Sequence, residues 1–202
     1  NIKKCCKAEV AIYWNQFKNM EDRKISLTLN ENDVLRMLIA NVKKNRKFYY
    51  AANGSRDKLQ GVHDLIQANA PTKKFLLISS ATLETPEVKL AMANPNGPNG
   101  FGAYDGILTS PSIQSGISYD GDDYHGLYGS FGNYTSLTGD CHQMLCRIRK
   151  PQNKKVYVAV AMGNNQIGTT NREELMNQLS ANNEHINSHV VGALNTSRYS
   201  MD

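Results

Sequence analysis

Apolar residues between positions 30 and 70 recur with the spacing of two helices that flank one short strand. The first helical pattern covers residues 30–45, where Asn30 or Asn32 can cap the first turn. A continuous apolar and aromatic run at 48–52 predicts the strand. Ser55 can cap the second helix, whose apolar side consists of Leu59, Val62, Leu65 and Ile66.

Three more strands are predicted by short apolar runs, at 74–78, 104–108 and 155–160. Thr85 and Pro86 open a further helix, and residues 143–149 have the pattern of another. Strands that alternate with helices favour an α/β fold with a parallel sheet and right-handed crossovers. No strand is predicted between 108 and 155, where His125 is interpreted as part of a Gly-rich loop, and the aromatic side chains between 119 and 134 could cover the sheet edge or stack on bases.

The length and composition suit one main domain with polar ends. The chain has 202 residues, of which 40% are hydrophobic. We expect an arm or linker over 1–29, the α/β domain over 30–163 and an Asn-rich polar extension over 164–202. The net charge of +5 favours a polyanionic partner only modestly.

Two classes of protein are disfavoured by the sequence. No apolar run approaches the ~18 residues of a membrane span, and no signal-peptide pattern occurs, so we expect a soluble intracellular protein without a membrane partner. The four cysteines form no C-x-x-C pair of the kind that binds zinc, and no metal site is predicted.

Small polar residues follow three of the predicted strands. They occur at Ser55, at Ser79–Thr82, and at Thr109 and Ser110 with Gly116 and Ser118 beyond. In an open parallel sheet, ligands bind outside the carboxyl ends of the strands, so these residues could contact a phosphate backbone. Caps and turns use the same residue types, and for Ser55 both interpretations stay open.

Gly116 and Asp120 add to the third of these loops. A glycine between strand and helix permits a positive φ or a close approach of the backbone to a ligand. A carboxylate beside a nucleic-acid groove does not add affinity. We therefore interpret Asp120 as a residue that orients a neighbouring loop or an arginine at a domain interface.

Gln143, Arg147 and Arg149 are predicted to project from about two turns of one helix. An arginine that reaches the γ-phosphate of a nucleotide stabilises the charge that develops in phosphoryl transfer. Residues at i and i+2 cannot share a helical face, so one arginine would reach the nucleotide and the other a carboxylate or a partner domain. The alternative is a pair of surface arginines in weak ion pairs.

In order and spacing, residues 107–120 and 143–149 resemble motifs V and VI of superfamily 2 helicases. The closest resemblance is to the origin-binding replicative helicases of large DNA viruses and related mobile elements. Residues 47–55 occupy the place of motif IV, and residues 29–160 look like the second RecA-like domain, a parallel sheet flanked by helices. Cys146 departs from the pattern, because motif VI commonly has Gly before its first arginine.

The resemblance implies a role for each candidate residue. Arg147, Arg149 and Gln143 would act on nucleotide, and Asp120 would sense it across the domain interface. The residues that would contact nucleic acid are Ser55, Thr109, Ser110, Gly116 and Ser118.

The loop that would hold a triphosphate, G-x-x-x-x-G-K-[ST], does not occur in this sequence. The resemblance therefore implies that ATP and Mg²⁺ are held mainly by an N-terminal P-loop RecA-like domain outside this chain. The other expected partners are single-stranded or duplex DNA and further replication proteins, at a site of viral or mobile-element replication. Two alternatives stay open: a RecA-like module that binds nucleic acid or protein without catalysis, and an unrelated α/β enzyme that binds a phosphorylated ligand.

Overall fold

A six-stranded parallel sheet organises the computed structural model, which describes residues 22–113, 116–132 and 138–161. The strands are Lys24–Thr28 (β1), Lys47–Ala52 (β2), Phe75–Ile78 (β3), Gly106–Thr109 (β4), Tyr124–Gly132 (β5) and Lys155–Ala161 (β6). The helices of this part of the chain are Glu31–Lys43 (α1), Arg56–Asn69 (α2), Pro86–Ala93 (α3) and Thr138–Leu145 (α4), with a 3₁₀ turn at Phe101–Ala103. The spatial strand order is β1-β6-β5-β2-β4-β3.

The predicted α/β class is confirmed, and the arrangement is consistent with a RecA-like domain. Two predicted caps are also confirmed, since the Asn30 side chain accepts from the amide of Asn32 and the Ser55 hydroxyl accepts from that of Lys58. No helix in the described ranges is long and apolar enough to cross a membrane. The predicted extension over 164–202 lies outside the described residues.

The interpretation of a Gly-rich loop around His125 was wrong, because Tyr124–Gly132 is strand β5, and no strand was predicted there. β5 lies between β2 and β6, in the middle of the sheet. Its glycines hid it from pattern analysis, yet they make room for large neighbours. A Cβ on Gly129 would lie 2.6 Å from the Phe131 ring, and one on Gly126 would lie 2.9 Å from the Tyr128 ring.

Residues 24–28, which fall in the predicted arm, form the edge strand β1. Lys24 to Thr28 pair in register with Lys155 to Ala159 of β6. The predicted boundary at residue 29 therefore follows a strand of the sheet instead of preceding it. The strand escaped the sequence analysis because its alternating apolar residues, Ile25 and Leu27, stay 51% and 69% exposed.

Helices cover both faces of the sheet, as parallel sheets require. On one face α1 and α2 pack on Tyr50, Leu108 and Tyr128. On the other, α3, α4 and the 3₁₀ turn pack on Tyr49, Ile107, Leu127 and Val156. Residues 117–120 and 147–149 lie on this second face, where Tyr119 and Ile148 belong to the core.

Glu31, in the first turn of α1, joins both helices of the first face to the sheet. Its Oε1 accepts from the hydroxyls of Tyr50 (3.1 Å) and Ser130 (2.6 Å), and its Oε2 lies 2.5 Å from Lys58 Nζ. Burial alone would raise the pKa of Glu31, but the hydrogen bonds from Lys58, Ser130 and Tyr50 outweigh it and lower the pKa. The charged carboxylate therefore stabilises the fold.

Replacing Glu31 by Gln should lower the free energy of unfolding by about 1–3 kcal/mol near neutral pH, because Lys58 loses its ion pair in a half-buried site. The pKa is lower in the folded state, so this stabilisation is present above the unfolded value of about 4.3 and is lost as pH falls through the folded value. Urea unfolding at about pH 7 and about pH 3 measures it. The deficit of Glu31→Gln should shrink at the lower pH.

Asp57→Asn is the matched control, because it removes the same charge from a side chain that is 93% exposed and pairs with the exposed Arg56. We expect it to change stability little at either pH. Equal effects of the two substitutions would show that Glu31 contributes no more than a surface carboxylate.

Candidate functional site

Arg147 and Arg149 do not project from a helix, contrary to the prediction for 143–149. Helix α4 ends at Leu145, and Cys146 closes its last turn through an amide bonded to the carbonyls of His142 and Gln143. Gln143 is exposed on the helix itself. The helix stops because the next peptide groups bond to another segment.

That other segment is centred on Tyr119, which forms an isolated parallel bridge with Ile148. The Tyr119 amide donates to the Arg147 carbonyl at 2.7 Å, and the Arg149 amide donates to the Tyr119 carbonyl at 2.9 Å. The fully buried Ile148 enters the core, while the side chains of Arg147 and Arg149 bond to the Ile117 carbonyl and to Asp120. Both arginines therefore contact the segment 117–120.

Arg147 is half-buried, and its guanidinium forms a hydrogen bond inside the domain. Its Nη1 donates to the Ile117 carbonyl at 2.9 Å. Its Nε is buried and has no hydrogen-bond partner in the described part of the chain. The Arg147 charge also opposes the effect of burial on the pKa of Tyr49, so these two side chains lie within electrostatic reach.

Arg149 is exposed and pairs with Asp120, whose Oδ1 lies 3.5 Å from its Nε. The side chains are 63% and 52% exposed, so the pair adds little to stability. Asp120 is fixed by its amide, which donates to Asn96 Oδ1 at 2.8 Å, and Asn96 Nδ2 donates to the Ser118 carbonyl. Asp120 therefore contacts an arginine, the kind of partner that the sequence suggested.

Thr109 and Ser110 lie at the carboxyl end of β4. Thr109 is fully buried, and its hydroxyl donates to that of Tyr49 at 3.1 Å. Burial raises the pKa of Tyr49 to about 12, so this hydroxyl stays protonated. Ser110 is 9% exposed and donates to the Ser112 hydroxyl at 3.0 Å. Both side chains are therefore satisfied within the protein.

Ser55 lies at the same edge of the sheet, where its hydroxyl caps α2. Asn53 beside it ties the ends of β2 and β5 together, since its side chain both donates to the Gly132 carbonyl and accepts from the Gly132 amide, each at 2.8 Å. The capping interpretation of Ser55 thus has a contact in its favour. The amino end of α2 stays directed at the carboxyl edge.

Gly116 has a φ of +92°, as its place in the loop suggested. A Cβ on it would meet no atom within 4 Å, so the glycine is required by backbone conformation and not by lack of space.

The structure brings the candidate residues together in two groups. Thr109 ends β4, and Ser110 and Ser55 come after strands, so all three lie at the carboxyl edge of the sheet. Asp120 and Arg149 precede strands, and Gln152 next to them bonds to Tyr124, the first residue of β5. The four residues of β4 separate the two edges by roughly 13 Å, at about 3.3 Å per residue.

Sequence analysis missed two residues of the second group, Tyr119 and Arg23. Arg23 donates to the carbonyls of Leu145, Ile148 and Arg149 although more than 120 positions separate it from them. Backbone contacts of this kind leave no motif. The alternation of Tyr119 with Ile117 was the one sign in the sequence of an extended segment.

The described residues hold no group of three or more His, Cys, Asp or Glu side chains suited to a metal ion. Cys146 lies 3.7 Å from His142 Nδ1, but burial raises the pKa of its thiol, which disfavours the reactive thiolate. Cys146 and His142 are thus not an activated nucleophile with its base in the described geometry.

Comparison with known proteins identifies similar proteins in one virus. No protein-family model matches the chain. It is similar to proteins described as "Putative helicase/primase complex protein" in African swine fever virus. The identity over 156 residues is 28% for the Warthog isolate from Namibia and the Pretoriuskop Pr4 tick isolate, and 27% for the KEN-50 pig isolate. The match covers 76% of this chain and spans 14% of the length of these relatives.

Replacing Gly116 by Ala should lower the free energy of unfolding by about 1 kcal/mol, because an L side chain is strained at this φ even in open space. Gly61→Ala is the matched control. Gly61 lies inside α2, where an added Cβ would also meet no atom within 4 Å, and Ala there should stabilise by about 0.5–1 kcal/mol. Chemical unfolding of both variants measures the difference, and a neutral or stabilising Gly116→Ala would show that the loop does not depend on the positive φ.

Proposed function

We propose that this chain is the second RecA-like domain of an ATP-dependent DNA helicase or translocase that acts at replication initiation. Its part is to supply Arg147 and Arg149 to an ATP site shared with an N-terminal P-loop domain, and to contact the sugar-phosphate backbone of DNA. The observation that carries the proposal is the bridge that fixes both arginines beside residues 117–120. The similarity to viral helicase/primase proteins supports it.

The two arginines suit different parts of that task. Arg147 is half-buried and already bonded at Nη1, so it presents a charge with little freedom to move. Arg149 pairs with an exposed carboxylate, and a phosphate that replaces Asp120 would restore the lost ion pair. ATP and Mg²⁺, held mainly by the P-loop domain, supply the phosphoryl group whose developing charge these guanidinium groups stabilise.

The carboxyl edge suits nucleic acid through its backbone groups more than through its hydroxyls. The amino end of α2, with its positive dipole, lies near Ser55 at this edge. Thr109 is turned inward to Tyr49, so in this proposal it holds the end of β4 in place for Ser110 and the loop to Gly116. Backbone contacts of this kind carry no base information, and binding should be independent of sequence and should weaken with salt.

The names of the relatives extend the proposal to partners and place. They are described as helicase/primase complex proteins, so we infer that the longer protein works with other replication proteins where a viral or mobile-element genome is copied. Most of such a protein would lie outside this chain, since the match spans 14% of the relatives.

A passive module that binds DNA or protein is the second candidate. The internal partners of Arg147, Thr109 and Ser55 favour it, because each of these side chains has a structural use without any ligand. The two candidates differ in one respect. Only the motor requires the arginines for ATP turnover.

In the longer protein, the double substitution of Arg147 and Arg149 by Ala should lower ATP turnover by roughly 10³-fold or more. Nucleotide affinity should change much less, because the charge that the arginines stabilise develops in the transition state. Steady-state hydrolysis and equilibrium nucleotide binding, measured on the same preparation, separate the two effects.

Arg36→Ala is the control, since Arg36 lies on α1 with 79% of its side chain exposed and forms an exposed ion pair with Asp33. It should turn over ATP like the unchanged protein. Normal turnover in the Arg147, Arg149 variant, with DNA binding retained, would reject the motor and favour the passive module.

A further inference from the structure

Arg23, the residue before β1, bonds to the end of α4 and to the segment that bears both arginines. Its Nη2 donates to the carbonyls of Ile148 (2.7 Å) and Arg149 (2.9 Å), and its Nη1 donates to that of Leu145 (3.3 Å). One guanidinium thus joins three carbonyls within five positions.

Each of these carbonyls needs a partner. Leu145 is the last residue of α4, where carbonyls have no amide of their own helix to accept from. A cation at that end also interacts favourably with the helix dipole. Hydrogen bonds from a charged donor are stronger than neutral ones, so Arg23 stabilises the point at which the helix stops.

Arg23 and Tyr119 hold the same segment through different groups. The backbone of Tyr119 donates to the carbonyl of Arg147 and accepts from the amide of Arg149. The Arg23 guanidinium instead donates to the carbonyls of Ile148 and Arg149. The backbone between Arg147 and Arg149 is thereby bonded to two separate parts of the chain. Removing the Arg23 guanidinium would take away its hydrogen bonds to the carbonyls of Leu145, Ile148 and Arg149.

The neighbours of Arg23 fix its own position. The amide of Lys24 donates to the carbonyl of Lys154 at 2.9 Å, and Asp22 lies 2.7 Å from Lys154 Nζ. Burial lowers the pKa of the Arg23 guanidinium, which shows that the group is partly removed from water. A guanidinium stays charged in proteins even so.

We propose that Arg23 is a positioning residue that sets the backbone of residues 145–149 and thereby the placement of Arg147 and Arg149. The inference rests on the proposed function for its effect on turnover, but the positioning itself can be measured without any ligand. Arg23 acts through backbone carbonyls and not through the side chains that it places.

Hydrogen exchange of the 202-residue chain tests the positioning. In Arg23→Met, which keeps an apolar stem of similar length but no donor, the amides of Arg149 and Tyr119 should exchange about tenfold faster or more. Arg23→Lys keeps the charge without the planar fork, so these amides should exchange faster than in the unchanged chain but slower than in Arg23→Met. Arg36→Ala is the control variant. As an internal control, the exchange rates of the amides within α1 should stay unchanged in both Arg23 variants.

Unchanged exchange at Arg149 and Tyr119 in both Arg23 variants would overturn the proposal. If Arg23→Met does not fold, Arg23→Lys decides the question alone, since protection equal to that of the unchanged chain would show that the three bonds are not needed. Faster exchange at these two amides with α1 unaffected supports it.

ATP turnover of the longer protein tests the consequence for the arginines. Arg23→Met should lower turnover at least about tenfold with little change in nucleotide affinity, and Arg23→Lys should restore part of it. In the Arg147, Arg149 double-Ala background, Arg23→Met should have no further effect, because the groups that it places are gone. An undiminished loss in that background would overturn the proposal.

The two proposals fail in different ways. Normal turnover in the Arg147, Arg149 variant would reject the ATP-site role, while faster exchange in Arg23→Met would still support the positioning. Loss of turnover in that variant together with unchanged exchange in Arg23→Met would reject the positioning alone.

Discussion

The bridge between Tyr119 and Ile148 is the interaction on which the candidate site depends. Its two hydrogen bonds engage the carbonyl of Arg147 and the amide of Arg149, so α4 cannot continue through these residues. Ile148 between them is fully buried, and the side chains of Arg147 and Arg149 bond to the Ile117 carbonyl and to Asp120. Residues 117–120 and 147–149 are well separated in the sequence, and neither segment belongs to a helix or to a strand of the sheet.

The fold was predictable where residue pattern and burial agree. The strands at 48–52, 74–78 and 155–160 lie where continuous apolar runs placed them, because parallel strands buried on both faces need such runs. Strand β5 was not predicted, because Gly126 and Gly129 interrupt its apolar pattern. These glycines are nevertheless required, because the rings of Tyr128 and Phe131 occupy the space of their missing side chains. The edge strand β1 was not predicted because its apolar residues are exposed.

Only some local features of the candidate residues were predictable from the sequence. The sequence pointed to Arg147, Arg149 and Asp120, and to the positive φ of Gly116. It could not show that the arginines leave the helix, because helix ends depend here on backbone bonds to Tyr119 and Arg23. Nor could it show that Thr109 points inward or that the polar residues divide between the two edges of the sheet.

The central claim is that this chain forms one side of an ATP site whose other side belongs to a P-loop domain. The most direct measurement is DNA-stimulated ATP hydrolysis by this chain alone, by the P-loop domain alone, and by the two joined in one polypeptide. The account predicts turnover in the usual enzyme range, about 1 per second or more, only for the joined domains. Turnover at that rate by this chain alone, or by the P-loop domain without it, would contradict the claim.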